Sequence, residues 1–223
     1  VAIEKGLDAL ADAMLELDDE AIREKAKEFS KTDNEDAALN VESAEDALSG
    51  AKDILAERVS QDTNNRTAIH DLYMAEGNIK TKGIVPEGQD EEQVAKTSTY
   101  QMYWDYTEPL SQVKPHRILA INRGEREGAL DVTLDVNVDS AVDLLTRRTK
   151  VNNSYHKEAI EDGVVRLLSP AVLREIRSDE TDAADDHGIG IFSENLKNLL
   201  MAQPIKGSRV LGIDPGIRTG TKC

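Results

Sequence analysis

Cysteine is almost missing from this sequence, since Cys223 is the only one among its 223 residues. A single thiol excludes an internal disulfide, and such low usage is typical of a reducing cytoplasm, which we take as the expected location. No apolar run approaches the ~20 residues of a membrane span, so no membrane partner is expected. No signal peptide opens the chain, and Val1 without a preceding Met indicates a trimmed start.

An excess of positive charge is also missing, since 27 Lys and Arg stand against 43 Asp and Glu and the net charge is −16. The chain as a whole would therefore repel the phosphate backbone of a nucleic acid, and any such contact needs a local basic patch. Residues 1–50 hold five basic and fifteen acidic residues, whereas residues 201–223 hold four and one. We interpret the acidic first segment as solvated helix faces, with docking of a basic partner protein as the alternative.

Signatures of catalysis and cofactor binding are missing as well. The sequence contains no phosphate-binding P-loop, no GxSxG nucleophile motif and no dinucleotide fingerprint. The four histidines have no paired spacing of the kind that metal ligands show: they are His70, His116, His156 and His187. We therefore expect no metal, no cofactor and no enzymatic activity.

Helical periodicity dominates what is present. Apolar residues recur every three or four positions over residues 7–15, 22–29 and 41–59, which predicts three amphipathic helices. A polar linker at 31–40 separates the second from the third. Asp18 or Asp19 can cap the second helix. Asp62 can cap a fourth helix that buries Ile69, Leu72 and Tyr73 and ends at Gly77.

Helices are expected again in the second half. One begins at Asp139, and another covers residues 159–168 until Ser169-Pro170 breaks it, because Ser can cap a new helix and Pro can occupy its first position. An apolar stripe predicts a last helix that stops before Pro204. The stripe consists of Ile189, Phe192, Leu196 and Leu199.

Between these helical halves the pattern changes to that of strands. Residues 78–90 carry Gly83, Pro86 and Gly88 and are expected to be irregular or extended. Residues 118–123 and 130–136 are expected to pair as an antiparallel hairpin, with Gly124 and Gly128 in its reversal, because residues 130–136 alternate apolar and polar side chains. The predicted fold is a mainly α, multi-helical fragment with a small antiparallel β hairpin at about 118–136.

The C-terminal stretch predicts a strand that lacks neighbours. Val210, Leu211 and Ile213 form an apolar run, and Pro215-Gly216 ends it in a turn. A single strand cannot bury itself, so we interpret the chain as a piece of a larger protein with a truncated C-terminal strand. This strand should be disordered, or paired with the hairpin or with another copy of the chain.

Six blocks of sequence together resemble the Tex-type transcription accessory proteins of bacteria, and they occur in the family's order over nearly the whole chain. The blocks are residues 4–12, 50–57, 103–109 (YWDYTEP), 116–125 (HRILAINRGE), 127–128 and 210–220 (VLGIDPGIRTG). The resemblance implies the family's helical region, of helix-turn-helix-like character, followed by the first strand of its YqgF/ribonuclease-H-like domain. The implied segments are helical 1–77, an aromatic and β segment 78–137, helical 138–205, and the start of the YqgF-like domain at 206–223.

The resemblance also implies what the full-length protein does. Tex-type proteins act in transcription and bind nucleic acid, and much of that binding is attributed to a C-terminal OB-fold RNA-binding domain that this chain does not contain. The implied function is a non-enzymatic scaffold segment of a protein whose partners are nucleic acid and the transcription machinery. The oligomeric state stays open.

Two alternatives come from other functional classes. Asp214 follows a strand, as does the first metal-binding carboxylate of ribonuclease-H-like nucleases, which makes it a weak catalytic candidate. Several carboxylates are needed to hold two metals, so we prefer a structural role in which Asp214 accepts hydrogen bonds from the following turn. The other alternative is the partner-protein docking module based on the acidic helices.

The best local candidates for phosphate contact are clustered in sequence, with acidic neighbours Glu125 and Glu127 that can form salt bridges with them. They are Lys114, His116, Arg117, Arg123 and Arg126. A shorter run, Arg147-Arg148 and Lys150, is interpreted as compensating a helix dipole.

The aromatic cluster offers a base-stacking platform as one reading. It consists of Tyr103, Trp104 and Tyr106, and the acidic residues Asp105 and Glu108 lie among and beside them. The absence of basic neighbours favours packing into a core.

Overall fold

The computed structural model describes residues 2–29, 41, 43–84, 98–203, 206–207, 209–216 and 220–222. The chain forms two compact units, Val1–Asp185 and Asp186–Cys223. The described part is mainly α-helical with a small antiparallel sheet, as the sequence predicts. The linker expected at residues 31–40 and the end of the extended segment, residues 85–90, lie outside the described residues.

Eight α-helices are present in the described residues: α1 (Asp8–Glu16), α2 (Asp19–Phe29), α3 (Ala44–Gln61), α4 (Thr63–Glu76), α5 (Pro115–Arg126), α6 (Val138–Arg148), α7 (Ser154–Asp162) and α8 (Ser169–Leu200). A π-helical turn, Gly163–Leu168, joins α7 to α8, and 3-10 turns occupy Gln101–Tyr103 and Leu110–Gln112. The strands of the first unit are β1 (Asn78–Gly83), β2 (Asp105–Pro109) and β3 (Leu130–Asp135).

Side-chain caps set the ends of several helices. The Asp62 side chain accepts hydrogen bonds from the backbone N–H groups of Asn64 and Asn65, and Gly77 ends α4, which confirms both predicted boundaries. Asp18 Oδ1 accepts from the N–H of Ala21 at 2.9 Å, so Asp18 is the residue that caps α2. These local signals explain why the first-half helices are readable from the sequence.

Two apolar cores hold the first unit together. The N-terminal core joins α1, α2 and α3, and Ala159 of α7 lies in it. The main core joins α4, the sheet, α5, α6 and the first part of α8, and Ile160 of α7 lies in that one. Consecutive residues of α7 are therefore buried in different cores, which places this helix between them.

The sheet has the order β2-β1-β3, with both neighbours antiparallel to β1. Ile79 and Thr81 point to the buried face, whereas Lys80 and Lys82 are exposed. Lys82 lies opposite Asp105 on one side and Asp131 on the other. Opposite charges on the outer face suit a sheet with one face in water.

The hairpin prediction is wrong in its first strand. Residues 118–123 belong to α5, and β3 pairs with β1 instead. Pro115 occupies the first turn of α5, and Ile118 and Ile121 are buried at helical spacing. Gly128, with φ +71°, does reverse the chain, but it ends a helix: its N–H bonds to Glu125 O and that of Ala129 bonds to Gly124 O.

The helix break expected at Ser169-Pro170 is also wrong. Ser169 keeps helical dihedral angles, and its N–H bonds to Val164 O, five residues back. The π-helical turn widens the helix just before Pro170, which has no N–H to donate. A widened turn therefore accommodates the proline, and the helix continues to Leu200.

The second unit contains the C-terminal part of α8 and a two-residue strand pair. β4 (Asp214–Pro215) pairs with β5 (Thr221–Lys222), and the Gly216 N–H bonds to Gly220 O at 2.8 Å. The strand predicted at 209–214 is thus wrong over 209–213, where Val210, Leu211 and Ile213 are exposed and outside any strand. The short strand that does form, β4, pairs with β5, which follows it in sequence, and not with the predicted hairpin.

Candidate nucleic-acid interface

Helix α5 carries four of the five predicted phosphate contacts, and Lys114 is the residue just before it. Lys114, His116, Arg123 and Arg126 are exposed, whereas Arg117 is partly buried. His116 and Arg123 are seven residues apart and so share one face of the helix, but Arg117 lies about 100° away from His116. The five side chains therefore do not form one continuous surface.

Arg117 is engaged in a hydrogen-bonded network with strand β2. Its guanidinium forms an ion pair with Glu108 and donates to Tyr106 Oη at 3.3 Å. The Tyr106 hydroxyl also donates to Glu108. Burial, followed by this carboxylate, raises the pKa of Tyr106 to about 12. Arg117 thus holds α5 against β2 and is not available to a phosphate without breaking that network.

Arg123 is held by an acidic neighbour as well. Its Nε donates to Glu127 at 2.8 Å, and the other oxygen of Glu127 accepts from the Tyr100 hydroxyl at 2.9 Å. The hydrogen bond to Glu127 is the main cause that raises the pKa of Arg123, and burial followed by Glu127 raises the pKa of Tyr100. Arg123 therefore forms a salt bridge with Glu127, one of the two acidic residues that lie among the basic residues in the sequence.

Lys114, His116 and Arg126 form no ion pair with any residue that the structure describes. A groove of about 920 Å³ opens between α5 and the turn that precedes β2. It is lined by Thr99, Tyr100, Met102, Tyr103, Leu119, Ala120, Arg123 and Glu127. Tyr100 and Tyr103 are 6% and 7% exposed, so neither ring is open enough to stack on a base.

The aromatic cluster is part of the main core, as we preferred. Tyr103 is buried, its ring meets that of Tyr106 edge-on at 5.3 Å, and Trp104 is partly buried against the same core. The Trp104 ring covers Gly83, where an added Cβ would lie 2.4 Å from it. Glycine at this position therefore lets the indole pack directly on the backbone of β1.

A second basic surface lies where α6 turns into α7, and we name it the α6–α7 corner. It consists of Arg147, Arg148, Lys150 and Lys157, which are all exposed and form no ion pair among the described residues. The sequence singled out the first three as helix-dipole partners and missed Lys157. An isolated lysine on an amphipathic helix carries no signal of its own.

Three residues of the loop between α6 and α7 hold the corner in place. Thr149 Oγ1 donates to Leu145 O at 2.8 Å, and Val151 packs against the main core. Asn153 donates to the carbonyl oxygens of Met14 and Leu17 at 2.6 and 2.8 Å. The backbone that carries these cations is therefore anchored at both ends.

The weak catalytic candidate Asp214 is exposed in β4 and pairs in register with Lys222. Within the described residues its carboxylate accepts no hydrogen bond, and Ile217 of the expected turn lies outside them. Among the described residues, no three His, Cys, Asp or Glu side chains are grouped so that they could hold a metal ion. The same residues include no helix with the length and apolar character needed to cross a bilayer.

Comparison with known proteins adds to this picture. A family model described as "Tex central region-like" matches residues 18–192. The uncharacterised protein YdcI of Bacillus subtilis is 39% identical over 228 residues, which cover all of this chain and 30% of that protein. The transcriptional accessory protein Tex of Neisseria gonorrhoeae is 32% identical over 236 residues, covering all of this chain and 29% of that protein.

A more distant relative is the human S1 RNA-binding domain-containing protein 1. It is 25% identical over 186 residues, or 78% of this chain and 18% of that protein. The chain thus spans under a third of the length of each of these relatives. Since the family model matches most of the chain, this chain belongs to the Tex family.

Proposed function

We propose that this chain is the non-enzymatic helical scaffold portion of a Tex-type transcription accessory protein. The observation that carries the proposal is that its buried polar side chains link separate helices by hydrogen bonds. Tyr73 and Ser169 share a hydrogen bond of 2.6 Å between α4 and α8, and Asn153 joins α7 to the end of α1. Polar groups in these buried positions serve to fix helices relative to one another, which is the task of a scaffold.

The names of the relatives support a role close to nucleic acid. One is named as a transcriptional accessory protein and another as an S1 RNA-binding domain-containing protein. We propose that the full-length, cytoplasmic protein binds nucleic acid mainly through domains beyond this chain and acts with the transcription machinery. In the same proposal, residues 206–223 start a YqgF/ribonuclease-H-like domain, and the helices before them have helix-turn-helix-like character.

Only three of the five basic residues predicted around α5 remain candidates for phosphate contact in this proposal. Arg117 and Arg123 already have carboxylate partners, which leaves Lys114, His116 and Arg126 as the members that can approach a phosphate. Their effect on binding should be small, because phosphate contacts act mainly through the number of charges brought together.

The test separates a scaffold from a nuclease. The full-length protein is incubated with branched and with single-stranded DNA and RNA in the presence of Mg²⁺ or Mn²⁺, beside a reference nuclease, and the products are separated on denaturing gels. We expect the oligonucleotides to stay intact. Cleavage that disappears in Asp214→Asn would overturn the proposal in favour of metal-dependent hydrolysis.

A further inference from the structure

We propose that the α6–α7 corner is a contact surface for the phosphate backbone of a nucleic acid. The corner is the set Arg147, Arg148, Lys150 and Lys157 defined above. The inference rests on the proposed function, because it gives a site to the nucleic acid that such a protein works with. The cations recognise phosphate and not base edges, so binding there is independent of sequence.

The first argument is the distribution of unpaired positive charge. On α5, Arg117 and Arg123 are paired with Glu108 and Glu127. Other arginines of the first unit join helices to one another, such as Arg58 with Asp8 and Asp12. At the corner, four cations within eleven residues are exposed and make no ion pair among the described residues.

The second argument concerns the acidic residues nearby. Asp19 Oδ1 is occupied by the N–H of Ser154 at 2.8 Å, and Glu158 pairs with Lys52 at 2.9 Å. Asp143 lies one helical turn before Arg147 but forms no ion pair with it within the described part of the chain. The carboxylates close to the corner in sequence therefore do not bind its cations directly.

The third argument is rigidity. Thr149, Val151 and Asn153 hold the loop in place, as described above. Lys150 has φ 49°, in the left-handed region that non-glycine residues rarely adopt, and so turns the chain between the two helices. A loop already fixed in its bound shape loses little conformational entropy when a ligand binds.

The chemistry of the surroundings selects backbone contact over base stacking. The aromatic residue of α7 nearest to the corner in sequence, Tyr155, is partly buried, and its ring lies 5.9 Å from the Arg23 guanidinium. Its hydroxyl accepts from Arg23 Nε at 2.8 Å. Tyr155 is thus already engaged with Arg23, which favours contact of the corner with phosphate over stacking of a base. The net charge of −16 predicts weak binding that is strong enough to measure only at low salt.

The experiment measures fluorescence anisotropy of labelled 20-base-pair duplex DNA, duplex RNA and the corresponding single strands at several salt concentrations. The test variant carries Arg147→Gln, Arg148→Gln and Lys150→Gln. A matched control removes the same charge elsewhere with Lys25→Gln, Lys82→Gln and Arg174→Gln. A third variant, Lys114→Gln with Arg126→Gln, measures the α5 contribution. Far-UV circular dichroism and melting temperature confirm that each variant is folded.

We expect the corner variant to lose at least about tenfold in affinity at 50 mM salt and the salt slope for duplex DNA to fall by about 2–3, whereas the control changes little. Comparison of the DNA and RNA arms shows which phosphate backbone is preferred. Equal losses in the corner and control variants would overturn the inference, as would a parent chain that binds none of the four ligands. Cleavage of the oligonucleotides is a separate readout and bears only on the scaffold proposal.

Discussion

Asn153 fixes the end of one helix and the start of another through a single side chain. Its Nδ2 donates to Met14 O at 2.6 Å and to Leu17 O at 2.8 Å, while its Oδ1 accepts from the His156 N–H at 2.7 Å. The residue is 8% exposed and lies 139 positions from Met14 in sequence. One amide thus satisfies orphan groups at the C-terminus of α1 and at the N-terminus of α7.

Asn153→Ala should lower the free energy of unfolding by about 2–4 kcal/mol, because it removes an N-cap and leaves buried carbonyl groups unpaired. Urea denaturation followed by circular dichroism measures the change. Asn152→Ala is the matched control, since Asn152 is exposed, and its effect should stay within about 0.5 kcal/mol. Equal effects of the two substitutions would contradict the role assigned to Asn153.

Gly163 and Gly190 should respond to alanine in opposite directions. A Cβ on Gly163 would lie 2.8 Å from Ala56 O, so Gly163→Ala must push the π-helical turn away from α3 and should cost about 1–3 kcal/mol. Nothing lies within 4 Å of a Cβ on Gly190, and Gly190→Ala should stabilise helix α8 by about 0.5–1 kcal/mol. Thermal melts of both variants check the signs, and a neutral Gly163→Ala would show that the two helices are less tightly packed.

His156 should make stability depend on pH. It is buried, its Nδ1 has no hydrogen-bond partner among the described residues, and burial lowers its pKa below the usual 6.5. The unfolded chain therefore binds more protons than the folded one between the lowered pKa and 6.5, so stability rises with pH through that window. Below the window the protonated form favours unfolding.

Urea midpoints measured from pH 5 to pH 8 test this prediction. The variant His156→Leu lacks the titrating group and should show a shallower rise of the midpoint over that range. Parallel pH profiles for the parent chain and His156→Leu would rule out a contribution from this histidine.

Removal of residues 207–223 should leave the helical signal and the melting temperature of the first unit nearly unchanged. Val210, Leu211 and Ile213 are exposed, and the only strand pairing described in this stretch joins two residues to two. Differential scanning calorimetry of the shortened chain provides the measurement. A drop of more than about 4 °C, which corresponds to roughly 1 kcal/mol in a small domain, would show that this stretch stabilises the helices.

Sequence reasoning succeeded where the signal was local. The stretches 7–15, 22–29 and 63–76 repeat their apolar residues every three or four positions, and side chains such as Asp18 and Asp62 cap the helices within three residues of themselves. Such signals depend only on neighbouring residues and survive whatever the rest of the chain does. The same is true of the alternation in β3.

The failures share a physical cause. The apolar part of the stretch 118–123 is only residues 118–121, so its period alone does not distinguish a strand from a buried helix. The packing of Ile118 and Ile121 in the main core decided for the helix. The partner of β3 is β1, about fifty residues earlier, and a local sequence pattern cannot predict which distant strand pairs with it. Pro170 predicts a break, yet the π-helical turn that accommodates it is stabilised by contact with α3.

The candidate site likewise has features that the sequence predicted and features that it could not predict. The sequence by itself determined that basic residues would cluster around 114–126 and 147–150 and that acidic residues would lie among the former. Only the tertiary structure decided that Arg117 of α5 pairs with Glu108 of β2 and that Asn153 anchors the α6–α7 corner to the end of α1. Pairing depends on distances between side chains from separate elements, and those distances exist only after the cores have packed.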